Sequence, residues 1–232
     1  MSGMISQLLF AESCTILSSE GSWMLIESNS EHETAWVTRN ALTLLNEDEW
    51  RGKQEQTGEL MAIFPFVKVE DEQHERQFLI PAGSVHGNDK RFKKISDEGW
   101  IVRGSQVDPE EVGKGLLSIP ALQGGRCGFG FDAPGLVQML CRSMGISVPH
   151  SISAQAEYGT ICNFIHEAKK GDLAFFHNGE DHFTHVGMVL DDGKIIHSSD
   201  QVRIDRLDQQ GIYCDEKERY THQLRVVKSR NL

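Results

Sequence analysis

Residues 124–138 combine a glycine-rich approach with the start of an apolar helix, an arrangement that presents a reactive group at a helix N-terminus. Asp132 is placed to cap this helix, and Ala133 follows it. The first helical turn is where the local positive field would most favour a thiolate. Ala133 offers no group that attacks or that can be activated. The sequence therefore predicts the frame of a reactive site without its nucleophile.

Two histidines form a second group with possible chemistry. His185 and His197 lie on predicted consecutive strands joined by residues 191–193, Asp-Asp-Gly. A three-residue connection, read as a type I turn plus a bulge with Gly193 in the left-handed region, pairs Gly187 with His197. Because side chains alternate along a strand, His185 then points to the same face as His197. In such a pair, one imidazole can take a proton from a nucleophile while the other orients it.

The composition limits the class of protein. The chain has 232 residues with 39% hydrophobic content, enough for one ordinary domain and one or two small ones. Its 34 acidic residues outnumber its 23 Lys and Arg, which gives a formal charge of −11. No basic run and no apolar span of bilayer length is present, so neither nucleic acid nor membrane is an expected partner.

Cysteine and histidine spacing indicates neither a disulfide framework nor a metal site. The five cysteines are scattered, without a Cys-x-x-Cys pair, and an odd count fits reduced thiols in a cytosol. His182 and His185 lack an acidic or Cys partner at ligand spacing. We therefore expect no metal and no cofactor.

The hydrophobic pattern divides the chain into two β-rich units and a mixed domain. Short β-rich segments with small turns indicate a compact β unit in which Trp23 and Trp36 are predicted core aromatics. A polar linker at 51–57 separates it from a second β-rich unit. The strands predicted for the first unit are 5–10, 14–17, 23–27 and 34–37. The predicted domains are 1–50, 58–105 and 106–232.

The mixed domain has clear helix signals. Asp108 as N-cap and Pro109 in the first turn predict one helix start, and the spacing of apolar residues predicts a central helix over 134–144 that ends at Gly145. The region 151–166 is ambiguous. The strands predicted after it are 172–177, 185–190, 194–197, 202–204 and 224–228.

Six short motifs occur in a specific order. They are Gly124-Gly125-Arg126, Gly128-Phe129-Gly130-Phe131-Asp132, Gly135-Leu136-Val137, Gly171-Asp172-Leu173, His185-Val186-Gly187 and Ile195-Ile196-His197-Ser198. This series resembles the NlpC-type cell-wall peptidase family. The resemblance implies an α+β fold, in which a papain-like C-terminal domain packs a helix on an antiparallel sheet and two small SH3-like β-barrel units precede it. It also implies cleavage of γ-D-glutamyl bonds in peptidoglycan peptides by a Cys, His, His site.

The resemblance assigns roles to four residues. His185 matches the family's general base, and His197 matches the third, orienting residue. Asp132 matches the acidic residue before the nucleophile, which helps to bind the free amino end of the peptide in members with SH3-like units. Arg126, in the first glycine motif, is the other residue expected to contact a ligand.

The departures from the family lie at the site itself. The family's Asp-Cys-Ser-Gly is Asp132-Ala133-Pro134-Gly135 here, so the thiolate is missing. An aromatic residue and a Trp before the paired glycines are replaced by Ala121 and Gln123, and loss of an oxyanion donor costs on the order of a hundredfold in rate. Cys127 lies upstream, in the loop, where the helix dipole would not lower its pKa.

These observations predict a catalytically inactive homologue of γ-D-glutamyl-L-diamino-acid endopeptidases that keeps a cleft for a muropeptide or another cell-wall-derived peptide. One alternative is an active cysteine peptidase of the same family, with Cys127 as the nucleophile or with Ala133 in place of a natural cysteine. The other is a scaffold whose SH3-like units bind a protein partner. The expected location is the bacterial cytoplasm, unless a signal peptide has been removed.

Overall fold

The structure, a computed structural model, describes residues 3–30, 32–54, 59–87, 91–102, 105, 107–179 and 182–229, most of them in β-strands and loops. The helices are α1 (Glu47–Gln54), α2 (Pro109–Lys114), α3 (Ala133–Ser143) and α4 (Ile152–Gln155). The strands are β1 (Cys14–Glu20), β2 (Trp23–Ser28), β3 (Thr34–Thr38), β4 (Leu60–Ala62), β5 (Phe66–Asp71), β6 (Arg76–Pro81), β7 (Val85–His86), β8 (Phe92–Lys94), β9 (Trp100–Val102), β10 (Arg126–Cys127), β11 (Gly130–Phe131), β12 (Thr160–Cys162), β13 (Leu173–His177), β14 (His185–Leu190), β15 (Lys194–Ser198), β16 (Val202–Leu207), β17 (Gly211–Cys214) and β18 (Arg219–Ser229). Within the described ranges, no helix has the length and apolar character needed to cross a membrane.

The upstream region consists of small antiparallel sheets, with strand orders β1-β2-β3, β7-β4-β9 and β6-β5-β8. Their description as SH3-like barrels and the domain boundaries stay predictions. Residues 5–10 are not a strand, so that prediction was wrong. The linker prediction was wrong at its start, because α1 extends into it, and residues 55–57 lie outside the described part of the chain. Trp23 and Trp36 are 49% and 46% exposed and are therefore not core aromatics.

The predicted helix caps are confirmed. Asp108 accepts a hydrogen bond from the Glu110 N–H at the start of α2. Asp132 has extended backbone (φ −85°, ψ 175°) and accepts from the Gly135 N–H at the start of α3. An Asp side chain at this position satisfies one of the N–H groups that a helix leaves unpaired. Gly145 follows α3 with a φ of 80°, a conformation that glycine adopts without a steric penalty.

The C-terminal region forms a closed barrel. Its seven-stranded antiparallel sheet has the order β12-β18-β13-β14-β15-β16-β17, and β17 also pairs with β18. Strands β13 to β18 therefore form a closed ring, and β12 pairs with β18 outside this ring. Sequence patterns missed β17 and the first half of β18, whose polar residues alternate with apolar ones only weakly. Closure removes the free edges that an open sheet would expose.

Two apolar clusters lie on opposite faces of the barrel wall. The outer cluster joins α2 and α3 to the wall and includes Val112, Phe131, Ala133, Leu136, Leu140, Phe175, Val186, Met188 and Ile196. The inner cluster draws one or more residues from each strand of the ring and fills its interior, with Ala174, Phe176, Val189, Ile195, Leu207, Ile212 and Val227. Thus α3 packs against β14 and β15 from outside. Whether this arrangement is papain-like stays a prediction.

Candidate functional site

Asp132 organises the N-terminus of α3. Its Oδ1 accepts from the Gly135 N–H and lies 2.8 Å from His150 Nε2, while its Oδ2 accepts from the Gly124 N–H at 2.8 Å. The Asp132 side chain is 22% exposed, so part of the carboxylate still faces solvent. Ala133, the first residue of α3, is 7% exposed. The capped helix N-terminus predicted from the sequence is thus formed, with the methyl group of Ala133 at the position expected for a nucleophile.

The predicted histidine register is confirmed. Gly187 pairs with His197 and Leu190 pairs with Lys194, so both imidazoles leave the same face of the sheet. The turn itself differs from the prediction, because Asp192 (φ 57°) joins Gly193 (φ 64°) in the left-handed region. The extra residue of the connection still sets the register.

The two histidines continue into a chain of hydrogen bonds. His185 Nε2 lies 2.9 Å from His197 Nδ1, and His197 Nε2 lies 3.0 Å from Asp205 Oδ2. Arg203 fixes the carboxylate by donating to both of its oxygens, at 2.6 and 3.1 Å. An ionised Asp205 only accepts, so His197 carries its proton on Nε2 and accepts on Nδ1 from His185 Nε2–H. This tautomer leaves Nδ1 as the basic atom of His185.

Burial keeps both imidazoles neutral. It lowers the pKa of His185 well below its usual value, with smaller contributions from His222 and His197. It also lowers the pKa of His197, although Asp205 opposes the effect. For Asp205, burial alone would raise the pKa, but the hydrogen bonds from His197 and Arg203 outweigh it and the pKa falls. The series of hydrogen bonds thus runs from neutral His185 through neutral His197 to the ionised carboxylate of Asp205. This is the charge pattern that the hydrogen bonds require.

His222 is a member of this cluster that sequence reasoning missed. Its ring stacks on that of His185, with centroids 4.0 Å apart and planes 22° from parallel. One nitrogen from each of His185, His197 and His222 lies within 4.8 Å of the other two. Sequence spacing could not indicate this neighbour, because the His222 ring lies beside the His185 ring only when β18 takes its place in the barrel.

The histidines and Ala133 lie in different packing environments. His185 on β14 pairs with Phe176 on β13, so the two side chains share the face of the sheet that lines the barrel interior. Ala133 belongs to the outer cluster with Val186, the residue next to His185. Ser198 links the two regions, since its hydroxyl donates to the Phe131 carbonyl at 2.6 Å. A single pocket lined by Asp132 and both histidines stays a prediction.

Arg126 lies in a buried ion pair. It is 2% exposed, and its two terminal nitrogens lie 3.1 Å from the two carboxylate oxygens of Glu12. Arg142, on α3, donates to the same carboxylate at 2.8 Å. The ion pair attaches the N-terminal segment to the core and uses both terminal nitrogens of Arg126, so Arg126 is not among the proposed ligand contacts. Its partner in the first unit is not visible from local sequence.

Cys127 is equally enclosed. The thiol is 2% exposed and donates to the Gln7 side-chain oxygen at 3.2 Å. Burial raises its pKa, and the smaller favourable effects of nearby backbone donors and Arg126 do not compensate. A protonated, enclosed thiol is a poor nucleophile. The geometry thus disfavours Cys127 as a relocated catalytic residue.

Known proteins resemble this chain mainly in its second half. Residues 121–224 match the NlpC/P60 family. The chain is 33% identical over 125 residues to a γ-D-glutamyl-L-lysine dipeptidyl-peptidase of Bacillus cereus, covering 52% of this chain and 37% of that protein. It is 35% identical over 113 residues to the protein of the same name in Bacillus subtilis, covering 47% and 38%. The chain therefore spans well under half the length of these relatives.

The fold is shared over a longer stretch. The crystal structure of an NlpC/P60 family protein from Bacillus cereus matches with a TM-score of 0.78 and 19% identity, covering 97% of this chain and 81% of that one. At this identity, the match shows a common fold that includes the upstream β units. Together with the match in sequence, it leads to one identification: residues 121–224 form a domain of the NlpC/P60 family.

Proposed function

We propose that this chain is a non-hydrolysing homologue of the peptidoglycan peptidases and that it binds cell-wall-derived peptides. The observation that carries the proposal is Ala133 at the first position of α3, directly after the Asp132 cap. A cysteine there would gain from the helix dipole, and a methyl group gains nothing. The nearby thiol of Cys127 is buried and protonated, so it supplies no substitute.

Asp132 is the residue proposed to contact the ligand. Its carboxylate already accepts from two backbone N–H groups and contacts His150, yet it keeps an exposed portion. A carboxylate held in this way is a pre-organised partner for a free ammonium group. The proposed ligand is therefore a short peptide with a free amino end, in keeping with the names of the relatives.

Calorimetry with L-alanyl-γ-D-glutamyl-diaminopimelate tests binding. We expect a one-to-one complex, and weaker binding of the N-acetylated peptide because it has no ammonium group. Asp132→Asn keeps a cap oxygen and removes the charge, so it should weaken binding by about tenfold or more. Asp108→Asn, the same change at the cap of α2, is the matched control and should bind normally. No heat of binding at millimolar peptide would refute the proposal.

A second assay tests the absence of hydrolysis. The same peptide is incubated with the protein, and new amino groups are measured over a day. We expect no release above the buffer rate. Release that disappears in Cys127→Ser would instead establish the active-peptidase alternative.

A specific observation also favours the scaffold alternative. Trp23 and Trp36 lie on the exposed face of the β1-β2-β3 sheet, and Trp36 pairs with Leu25 there. Exposed aromatic residues are enriched in protein interfaces. If this face binds a protein, Trp36→Ser will abolish complex formation with that partner and leave peptide binding unchanged.

A further inference from the structure

We propose that His185, His197 and His222 form a binding site for a divalent transition metal such as Zn²⁺. The site goes beyond the proposed peptide binding and does not depend on it. Three different strands of the barrel, β14, β15 and β18, supply the ligands. Imidazole nitrogens suit Zn²⁺, and three histidines plus one open position is a common zinc arrangement.

The spacing of the nitrogens brings them within reach of one ion. They all lie within 4.8 Å of one another, and His185 Nε2 is 2.9 Å from His197 Nδ1. In a tetrahedral site with Zn–N bonds of 2.0–2.1 Å, neighbouring nitrogens are about 3.3 Å apart. The closest pair must therefore open by a few tenths of an ångström, and the farthest must draw together. The ion replaces the hydrogen bond between the two rings, and His185 moves its proton to Nδ1.

The surroundings of His197 match those of a zinc ligand. Its Nε2 donates to Asp205, which leaves Nδ1 to face His185. Histidine ligands of zinc typically donate their second nitrogen to a carboxylate or carbonyl, which fixes the ring and raises its basicity. Arg203 holds Asp205 from the far side. The orienting groups of a metal site are thus already formed.

His222 is the ligand that must move. Its ring is stacked on His185, and two parallel rings do not direct their lone pairs at one point. The His222 side chain is only partly buried, and its Nδ1 contacts the hydroxyl of the adjacent Thr221 at 3.0 Å. A hydroxyl can rotate to follow the ring, so the ring can turn out of the stack and present Nε2. The fourth position is left to water or to a ligand carboxylate.

The test is a titration of the chelator-treated full chain with Zn²⁺, followed by calorimetry, and with Co²⁺, followed by visible absorption. We expect one equivalent to bind and the absorption to be that of a four-coordinate site. His222→Phe keeps the ring and removes the nitrogens, so it should weaken binding by more than about 100-fold. Asp205→Asn should weaken binding by about 10- to 100-fold. His32→Ala removes an exposed histidine and should have no effect.

Two results of the titrations would overturn the proposal. One is the absence of a stoichiometric equivalent in the unaltered chain. The other is binding that survives His222→Phe and is lost in His32→Ala, which would assign the metal to the surface. If the variants fail to fold, imidazole ¹⁵N signals of the unaltered chain decide the question. Zn²⁺ must shift the ring signals of His185, His197 and His222, and shifts confined to other histidines would refute the site.

Discussion

Glu12 ties the N-terminal segment to the NlpC/P60 domain, and its replacement by glutamine makes a demanding test of the structure. The side chain is 3% exposed and contacts Arg126 and Arg142, while one oxygen accepts from the Leu9 N–H. Glu12→Gln keeps the shape and removes the negative charge. Two guanidinium groups, that of the buried Arg126 and that of the 12% exposed Arg142, then lose the negative charge of Glu12.

The expected loss is large because Glu12 and Arg126 are both buried. Breaking a buried ion pair from one side costs about 3–5 kcal/mol in free energy of unfolding, more than the pair itself contributes. The pH dependence gives a second measure. Burial alone would raise the pKa of Glu12, but Arg126 and Arg142 outweigh it and the folded pKa is lowered. Its stabilising contribution is thus fully present above the unfolded pKa and is lost as the pH falls through the folded pKa.

Urea unfolding at pH 7 and at pH 4 measures both effects. Glu12→Gln should lose about 3–5 kcal/mol at pH 7 and less at pH 4. Glu20→Gln, at an exposed position of β1, is the control and should stay within about 0.5 kcal/mol. Gln7, in the N-terminal segment that Glu12 holds in place, covers the Cys127 thiol. Loss of the Glu12 ion pair should therefore also make this thiol reactive toward a disulfide reagent. A loss below 1 kcal/mol with Cys127 still protected would refute the reasoning.

Three further predictions concern the site. Gly187→Ala should cost about 1–3 kcal/mol in urea unfolding, because the new methyl group would lie 2.7 Å from Ile195 Cδ1; an unchanged midpoint would contradict this packing. Asp132→Ala should cost about 1 kcal/mol or more in thermal unfolding through loss of the helix cap, and Asp132→Asn should recover most of it. In an NMR titration, His222 should titrate at a pKa of about 4 because of burial, and His185 should stay neutral in mild acid. Because the folded pKa values of both histidines are lowered, the contribution of these residues to stability is fully present above pH 6.5 and decreases as the pH falls below it. Titration of either ring near pH 6.5 would contradict the burial of the cluster.

Local signals in the sequence predicted the parts of the site that depend on neighbouring residues. Loop length and strand alternation fixed the register of His185 and His197, since a single extra residue would reverse one face. Asp108 and Asp132 were predicted as caps because Pro and apolar spacing follow each of them. Each of these features is determined by a few neighbouring residues.

Other parts depend on pairing between distant segments and left no local signal. Glu12 meets Arg126 across 114 residues, so Arg126 was read from its motif as a ligand contact. Asp205 and His222 join the histidines only when β16 and β18 take their places in the barrel. Trp23 was expected in a core because large aromatics usually are buried, and a three-stranded sheet leaves one face uncovered.

The barrel is completed by β18 (Arg219–Ser229), which pairs with β12, β13 and β17. During synthesis from the N-terminus, this strand emerges after all its neighbours. Until it arrives, β13 and β17 each have an unpaired edge that can recruit a strand from another chain. A chain ending before residue 219 would therefore lack His222 and would also be prone to aggregation. The pairing of β18 thus completes the histidine cluster and covers the strand edges in one step.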